Sequence, residues 1–167
     1  SCLVMMLGAC SDNNSPEPQP NPNPDPNPQP GEEEVVPLKS IPFSKGLNLS
    51  DWFNVSEAYW FNPDVYTEKD FDQLKSLGVD VVLLPINFPI FMCQAPAYTF
   101  DDKFLAALDN AVNWAEARGM YVILDQHSYY GSRMFPEGYG EELVTSGLRQ
   151  LAMRYKGKEH VVLELFN

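Results

Sequence analysis

From about Val36 onward, apolar residues recur with two alternating periods. One period fits helices. Phe71, Leu74 and Leu77 share a face over Glu68 to Leu77, with Thr67 and Asp70 spaced as a capping box. Phe104, Leu105, Leu108, Ala111, Val112 and Ala115 do so from Asp102 to Arg118. Val144, Leu148, Leu151, Ala152 and Tyr155 do so from Glu141 to Lys156. Lys45 to Leu49 is a short strand candidate ahead of the first helix, and each helix is followed by a short apolar run that predicts a strand: Val79 to Leu84, rich in β-branched residues and read as buried, then Met120 to Asp125 and Val161 to Phe166. Gly78, Gly119 and Gly157 each stand where a helix stops and a strand begins.

Strands alternating with helices call for a parallel sheet with helical crossovers, either an open doubly wound sheet or a barrel. Turns from helix to strand are short. The loops from strand to helix, Pro85 to Asp101 and Gln126 to Gly140, are long. Function is therefore expected at the carboxyl ends of the strands. No glycine-rich phosphate loop follows any strand. The expected fold is thus α/β: the first half, about four βα units, of a (β/α)8 TIM barrel.

The first 35 residues break this pattern. Cys2 to Ala9 is an apolar, uncharged run too short to span a membrane, and it resembles the tail of a signal peptide. Leu7-Gly8-Ala9-Cys10 resembles a bacterial lipobox, which makes Cys10 the expected lipidation site; a plain signal peptide is the other reading. From Pro16 to Pro30 every second residue is proline. Such a segment adopts polyproline II at about 3.1 Å per residue, so it is expected to act as a stiff spacer of roughly 45 Å. The expected organisation is a signal-peptide remnant at 1–9, a lipidated cysteine and linker at 10–35, and a half-barrel at 36–167. The expected location is an exported, membrane-anchored lipoprotein at the cell surface or facing the periplasm.

The net charge is −12, which argues against phosphate-directed nucleic-acid binding. Six of the acids precede Lys39; with those set aside, 17 acids face 11 bases. Cys93 is the one cysteine of the folded part and is expected to be a small buried hydrophobe. No cofactor and no metal is expected, because Asp125 and His127 alone are too few ligands.

The strand tips carry Asn48 and Trp52, then Asn87 and Phe88, then His127 with Tyr129 and Tyr130, and finally Asn167. Amides hydrogen-bond hydroxyls in both directions, and aromatic faces pack on pyranose rings, so this set suits a polyhydroxylated ligand. Asp125 is expected inside its strand in a packed polar pair. Glu164 is expected mid-strand, three residues short of the tip.

Four segments resemble glycoside hydrolase family 5. They are Gly46-Leu47-Asn48-Leu49 with Trp52; Asp70-Phe71 through Leu77-Gly78-Val79 to Leu84-Pro85; Ala115 to His127 (AEARGMYVILDQH); and Arg154 to Asn167 (RYKGKEHVVLELFN). They occur in order at barrel spacing. The resemblance implies a retaining glycosidase that cleaves β-linked polysaccharide, of endo-β-glucanase or cellulase type. It implies sugar contacts at His127 and Asn167; Trp52, Asn48 and Tyr129, already singled out at the strand tips, are expected to bind substrate beside them. The family's acid/base glutamate is expected immediately after Asn167 and its nucleophile later still, so no catalytic carboxyl is expected within these residues and the fragment is expected to be inactive. Where the family usually has Arg before the Leu-Pro of strand two, this chain has Leu83. The alternative is a non-catalytic glycan-binding lipoprotein on the same barrel scaffold.

Overall fold

The computed structural model describes residues 40–128 and 139–165. Cys10, the proline-rich segment, Tyr129 and Asn167 lie outside the described residues. The elements run β1 (Gly46–Asn48), a 3-10 turn (Ala58–Trp60), α1 (Glu68–Ser76), β2 (Val81–Ile86), a short α2 (Phe88–Phe91), α3 (Asp102–Ala117), β3 (Tyr121–Gln126), α4 (Tyr139–Arg154) and β4 (Val161–Glu164).

Local chemistry places the helix ends. Asp70 accepts from Thr67 N–H at 2.7 Å and from its hydroxyl at 2.8 Å, closing the first turn of α1. Asp101 caps α3 by accepting from Phe104 N–H at 3.0 Å. Gly78 and Gly119 leave α1 and α3 with φ of 79° and 61°, a region that favours glycine.

The strands form one parallel sheet in the order β1-β2-β3-β4. Each βα unit thus lies beside the next, which is the architecture of the first half of an eightfold barrel. Register assigns the faces. Val82, Leu84, Ile86, Val122 and Leu124 point to the helical layer and are fully buried. Asn48, Leu83, Ile123 and Val162 align on the other face, which corresponds to the barrel interior, and none of them is fully buried.

β2 differs from its expected span: it starts two residues later and runs on through Pro85 to Ile86. Proline lacks an N–H, so the strand loses one ladder donor at Pro85. Here β1 pairing finishes at Leu83, whose carbonyl accepts from Leu49 N–H at 3.0 Å. The missing donor of Pro85 faces the side where that ladder has stopped, while Ile86 still accepts from His127 N–H at 2.9 Å.

An ionic cluster joins the outer helices. Asp109 of α3 accepts from Arg154 Nε at 2.8 Å and from the Tyr155 hydroxyl at 3.0 Å. Burial pushes its pKa up, but those two donors and the Arg154 charge outweigh it, so the carboxyl sits below its ordinary value. A carboxyl depressed in the folded state contributes stability that is present above its unfolded pKa of about 3.9 and lost as pH falls through the folded value. Asp109→Asn is therefore expected to be less stable than wild type at neutral pH, and to lose less stability than wild type on acidification to about pH 3. Urea midpoints at the two pH values measure this; equal acid sensitivity of the two proteins would remove Asp109 from the account.

Candidate active site

The candidate site is built at the carboxyl ends of the strands, from which the strand-to-helix loops leave. β1 ends at Asn48, which is exposed and accepts from the Ser50 hydroxyl at 3.2 Å. After β2, Asn87 is buried and donates from Nδ2 to Val55 O at 3.0 Å, while its own N–H donates to Phe53 O at 2.9 Å. Asn87 thus ties the β1–α1 loop onto the end of β2. Phe88 is fully buried and supports that tie from the core.

β3 delivers His127. Its ring is about one-third exposed, with Nδ1 3.0 Å from Oδ2 of Asp125 two residues earlier on the same face. Asp125 is 0% exposed. The polar pair expected for Asp125 is formed, and its partner is His127. The next position, Gln126, faces the helical layer and donates to the Ser128 hydroxyl at 2.6 Å.

β4 brings Glu164 into the same group. Glu164 does not lie mid-strand, as its distance from the expected tip implied. Pairing ends with Asp125↔Glu164, which makes Glu164 the last residue of the strand. Burial raises its pKa, as does the negative charge of Asp125; His127 partly offsets both. An imidazole and two carboxyls thus converge on the interior face of β3 and β4. Leu83 lies on that face one strand away, aligned with Asn48 and Ile123.

Trp52 is not part of the open site. It is 0% exposed, and its ring lies on Phe53 and Trp114 with centroids 4.3 and 6.5 Å apart. Its indole N–H is used by Pro63 O at 3.1 Å. No face remains for a sugar, so its expected role as a stacking platform is withdrawn. Among the described residues, Tyr59 and Trp60 are exposed aromatics, at 76% and 58%, with ring centroids 5.5 Å apart. They sit on the 3-10 turn of the β1–α1 loop. They fall in no periodic run of the sequence, so no local pattern singles them out.

Cys93 is also corrected. It is exposed, not buried, because it lies in the loop after α2. The Thr99 hydroxyl and N–H contact its sulfur at 3.2 Å and hold the thiol below its ordinary pKa. Among the described residues, no three His, Cys, Asp or Glu side chains gather to hold a metal ion, and no helix is long and apolar enough to cross a membrane.

Residues 40–167 match the family described as Cellulase (glycosyl hydrolase family 5). Endoglucanase C of Acetivibrio thermocellus is 26% identical over 140 residues, covering 76% of this chain and 40% of its own. Endoglucanase A of Ruminococcus albus is 30% identical over 119 residues, covering 68% and 32%. The crystal structure of endoglucanase Cel5A from Thermotoga maritima superposes with a TM-score of 0.61 at 27% identity, over 71% of this chain and 39% of that one. The chain therefore spans about 40% or less of the length of these relatives.

Proposed function

The chain belongs to glycosyl hydrolase family 5, and from that premise we propose that it is the amino-terminal part of a retaining endo-β-glucanase. The observation that carries the reading is His127: a partly exposed imidazole at a strand end, anchored on a buried carboxylate, within a family of β-glycan hydrolases.

In this reading His127 and Asn48 hydrogen-bond sugar hydroxyls, joined by Tyr129 and Asn167. Asn167 takes the 2-hydroxyl, where contacts tighten in the transition state. Tyr59 and Trp60 take over the aromatic contact that Trp52 cannot make. Retaining glycosidases use two carboxyls about 5–5.5 Å apart, one donating a proton to the leaving oxygen and the other attacking the anomeric carbon. The acid/base is the glutamate expected directly after Asn167, and the nucleophile comes from a later strand. These residues alone then bind glycan without cleaving it.

The test is to express the intact gene product and follow hydrolysis of a soluble β-1,4-glucan by NMR. Expected is a first-formed product with the β anomer retained. No release of reducing ends from any β-glucan would overturn the proposal.

A second reading, a glycan-binding barrel without catalysis, draws on Leu83. A cation near a carboxylate favours its ionised form, and this position supplies none. If the site lacks that support, Leu83→Arg raises the activity of the intact protein or extends it to lower pH. No change in either would show that the nucleophile is held ionised by another group.

The organisation proposed for the amino terminus is a signal remnant at 1–9, a lipid-bearing Cys10 with its proline-rich tether at 10–35, and the half-barrel at 36–167. This makes the enzyme an exported lipoprotein acting on polysaccharide outside the cytoplasm. Cys10→Ala is expected to move the intact protein from the membrane fraction to the soluble fraction. Retention of the variant on the membrane would rule the anchor out.

A further inference from the structure

The loop that leaves β1 is buried from Trp52 to Val55, exposed from Ser56 to Trp60, and half-buried again at Phe61. The exposed stretch therefore has a support at each end. At the first, Asn87 donates from Nδ2 to Val55 O at 3.0 Å, and its own N–H donates to Phe53 O at 2.9 Å. At the second, the Phe61 ring meets Phe91 at 5.0 Å and Phe53 at 6.1 Å, with Lys103 Nζ 5.5 Å from its centroid. Asn87 is the cap of α2 and Phe91 its last residue. Both supports thus belong to the short helix that follows β2, so Tyr59 and Trp60 are placed from β2 rather than from the strand that precedes them.

Asn87 is 1% exposed. Burying an amide costs free energy unless its polar atoms are paired. Its Nδ2 is paired with Val55, while among the described residues nothing donates to Oδ1. What this side chain contributes is therefore a donor aimed at one carbonyl, at the point where the loop turns outward. Beyond that point Trp60 N–H donates to Glu57 O at 3.0 Å and Phe61 N–H to Ala58 O at 3.2 Å, which closes the 3-10 turn. The Tyr59 and Trp60 rings stand at 76° to each other. Rings at that angle cannot both lie flat on one straight chain, so the pair offers the face of one ring to a single sugar, with the other ring as a wall.

We propose that Asn87 is a positioning residue for glycan binding: by gripping Val55 it sets the angle at which Trp60 presents its face to one sugar residue of the β-glycan. The sugar's identity rests on the hydrolase reading; the control of the aromatic pair from β2 does not. Asn87 touches no sugar in this account. Its whole effect on affinity passes through Trp60.

A double-mutant cycle on the intact protein tests this, with cellohexaose binding followed by titration calorimetry. Asn87→Leu fills a similar volume and removes the donor. It is expected to raise Kd about fivefold, the scale of one hydrogen bond. Added to Trp60→Ala, it is expected to cause no further loss. A side chain that merely stabilises the fold would weaken binding by the same factor in both backgrounds. Full recurrence of the loss in the Trp60→Ala background, or wild-type affinity in Asn87→Leu, overturns the proposal. If Asn87→Leu does not fold, Phe61→Leu loosens the other support and takes its place in the cycle, read in the same way. A wild type that binds cellohexaose without releasing reducing ends from any β-glucan would end the hydrolase reading and leave the cycle to decide the positioning role. A wild type that cleaves β-glucan while Trp60→Ala binds as tightly would end the positioning role alone.

Discussion

Phe104→Ala is expected to lower the free energy of unfolding by about 3–5 kcal/mol, the range for emptying a buried aromatic site. Phe104 is 0% exposed in the first turn of α3. Its ring stacks on Phe91 at 4.5 Å, meets Phe53 edge-on at 5.5 Å, and tilts against Phe100 at 5.0 Å. These partners come from the β1–α1 loop and from both ends of the segment between β2 and α3. One side chain thus holds together the loops that shape the carboxyl end of the sheet. Each aromatic pair adds about 0.5–1.5 kcal/mol beyond area burial, so the loss is expected toward the top of the range. Urea unfolding of the intact protein measures it, with Phe104→Leu as a milder comparison. An alanine variant within about 1 kcal/mol of wild type would mean that the surrounding rings collapse into the space, or that the cluster does not hold the loops.

Trp52→Ala and Trp60→Ala are expected to part ways. Trp52 is buried against Phe53, Tyr66 and Trp114. Its removal should cost about 3–5 kcal/mol in stability and also orphan the Pro63 carbonyl it serves. Trp60 is mostly exposed, and its loop is held on either side by Asn87 gripping Val55 and by Phe61 packed on Phe53 and Phe91. Trp60→Ala should leave the unfolding midpoint within about 0.5 kcal/mol of wild type yet weaken binding of cello-oligosaccharides several-fold. Denaturation curves and titration calorimetry on the same preparations read both effects. The reverse outcome, with binding lost only in Trp52→Ala at unchanged stability, would restore Trp52 as the sugar platform.

The contrast between these two tryptophans marks where sequence reading stops. Both lie in the stretch between β1 and α1, and neither belongs to a repeating pattern. Whether such a ring is buried depends on what arrives opposite it. Trp114, more than sixty residues later, covers Trp52, and nothing among the described residues covers Trp60 to the same degree. Cys93 is a similar case. Its residue type favours the interior, but it sits in a loop held to Thr99 at the surface.

The sequence by itself determined the order of strands and helices, the parallel sheet and the end of it from which the strand-to-helix loops leave. Helical and strand periods are local, and glycines at 78, 119 and 157 mark positions where the backbone takes a positive φ. It also set Asp125 and His127 on one face, because residues two apart in a strand always share one. Only the tertiary structure decided the rest. Pro85 stays within β2 because the β1 ladder ends before it. Glu164 joins Asp125 through the β3–β4 register, which no residue of either strand specifies alone. Register and burial are set by contacts between segments far apart in the chain, and local patterns carry no record of them.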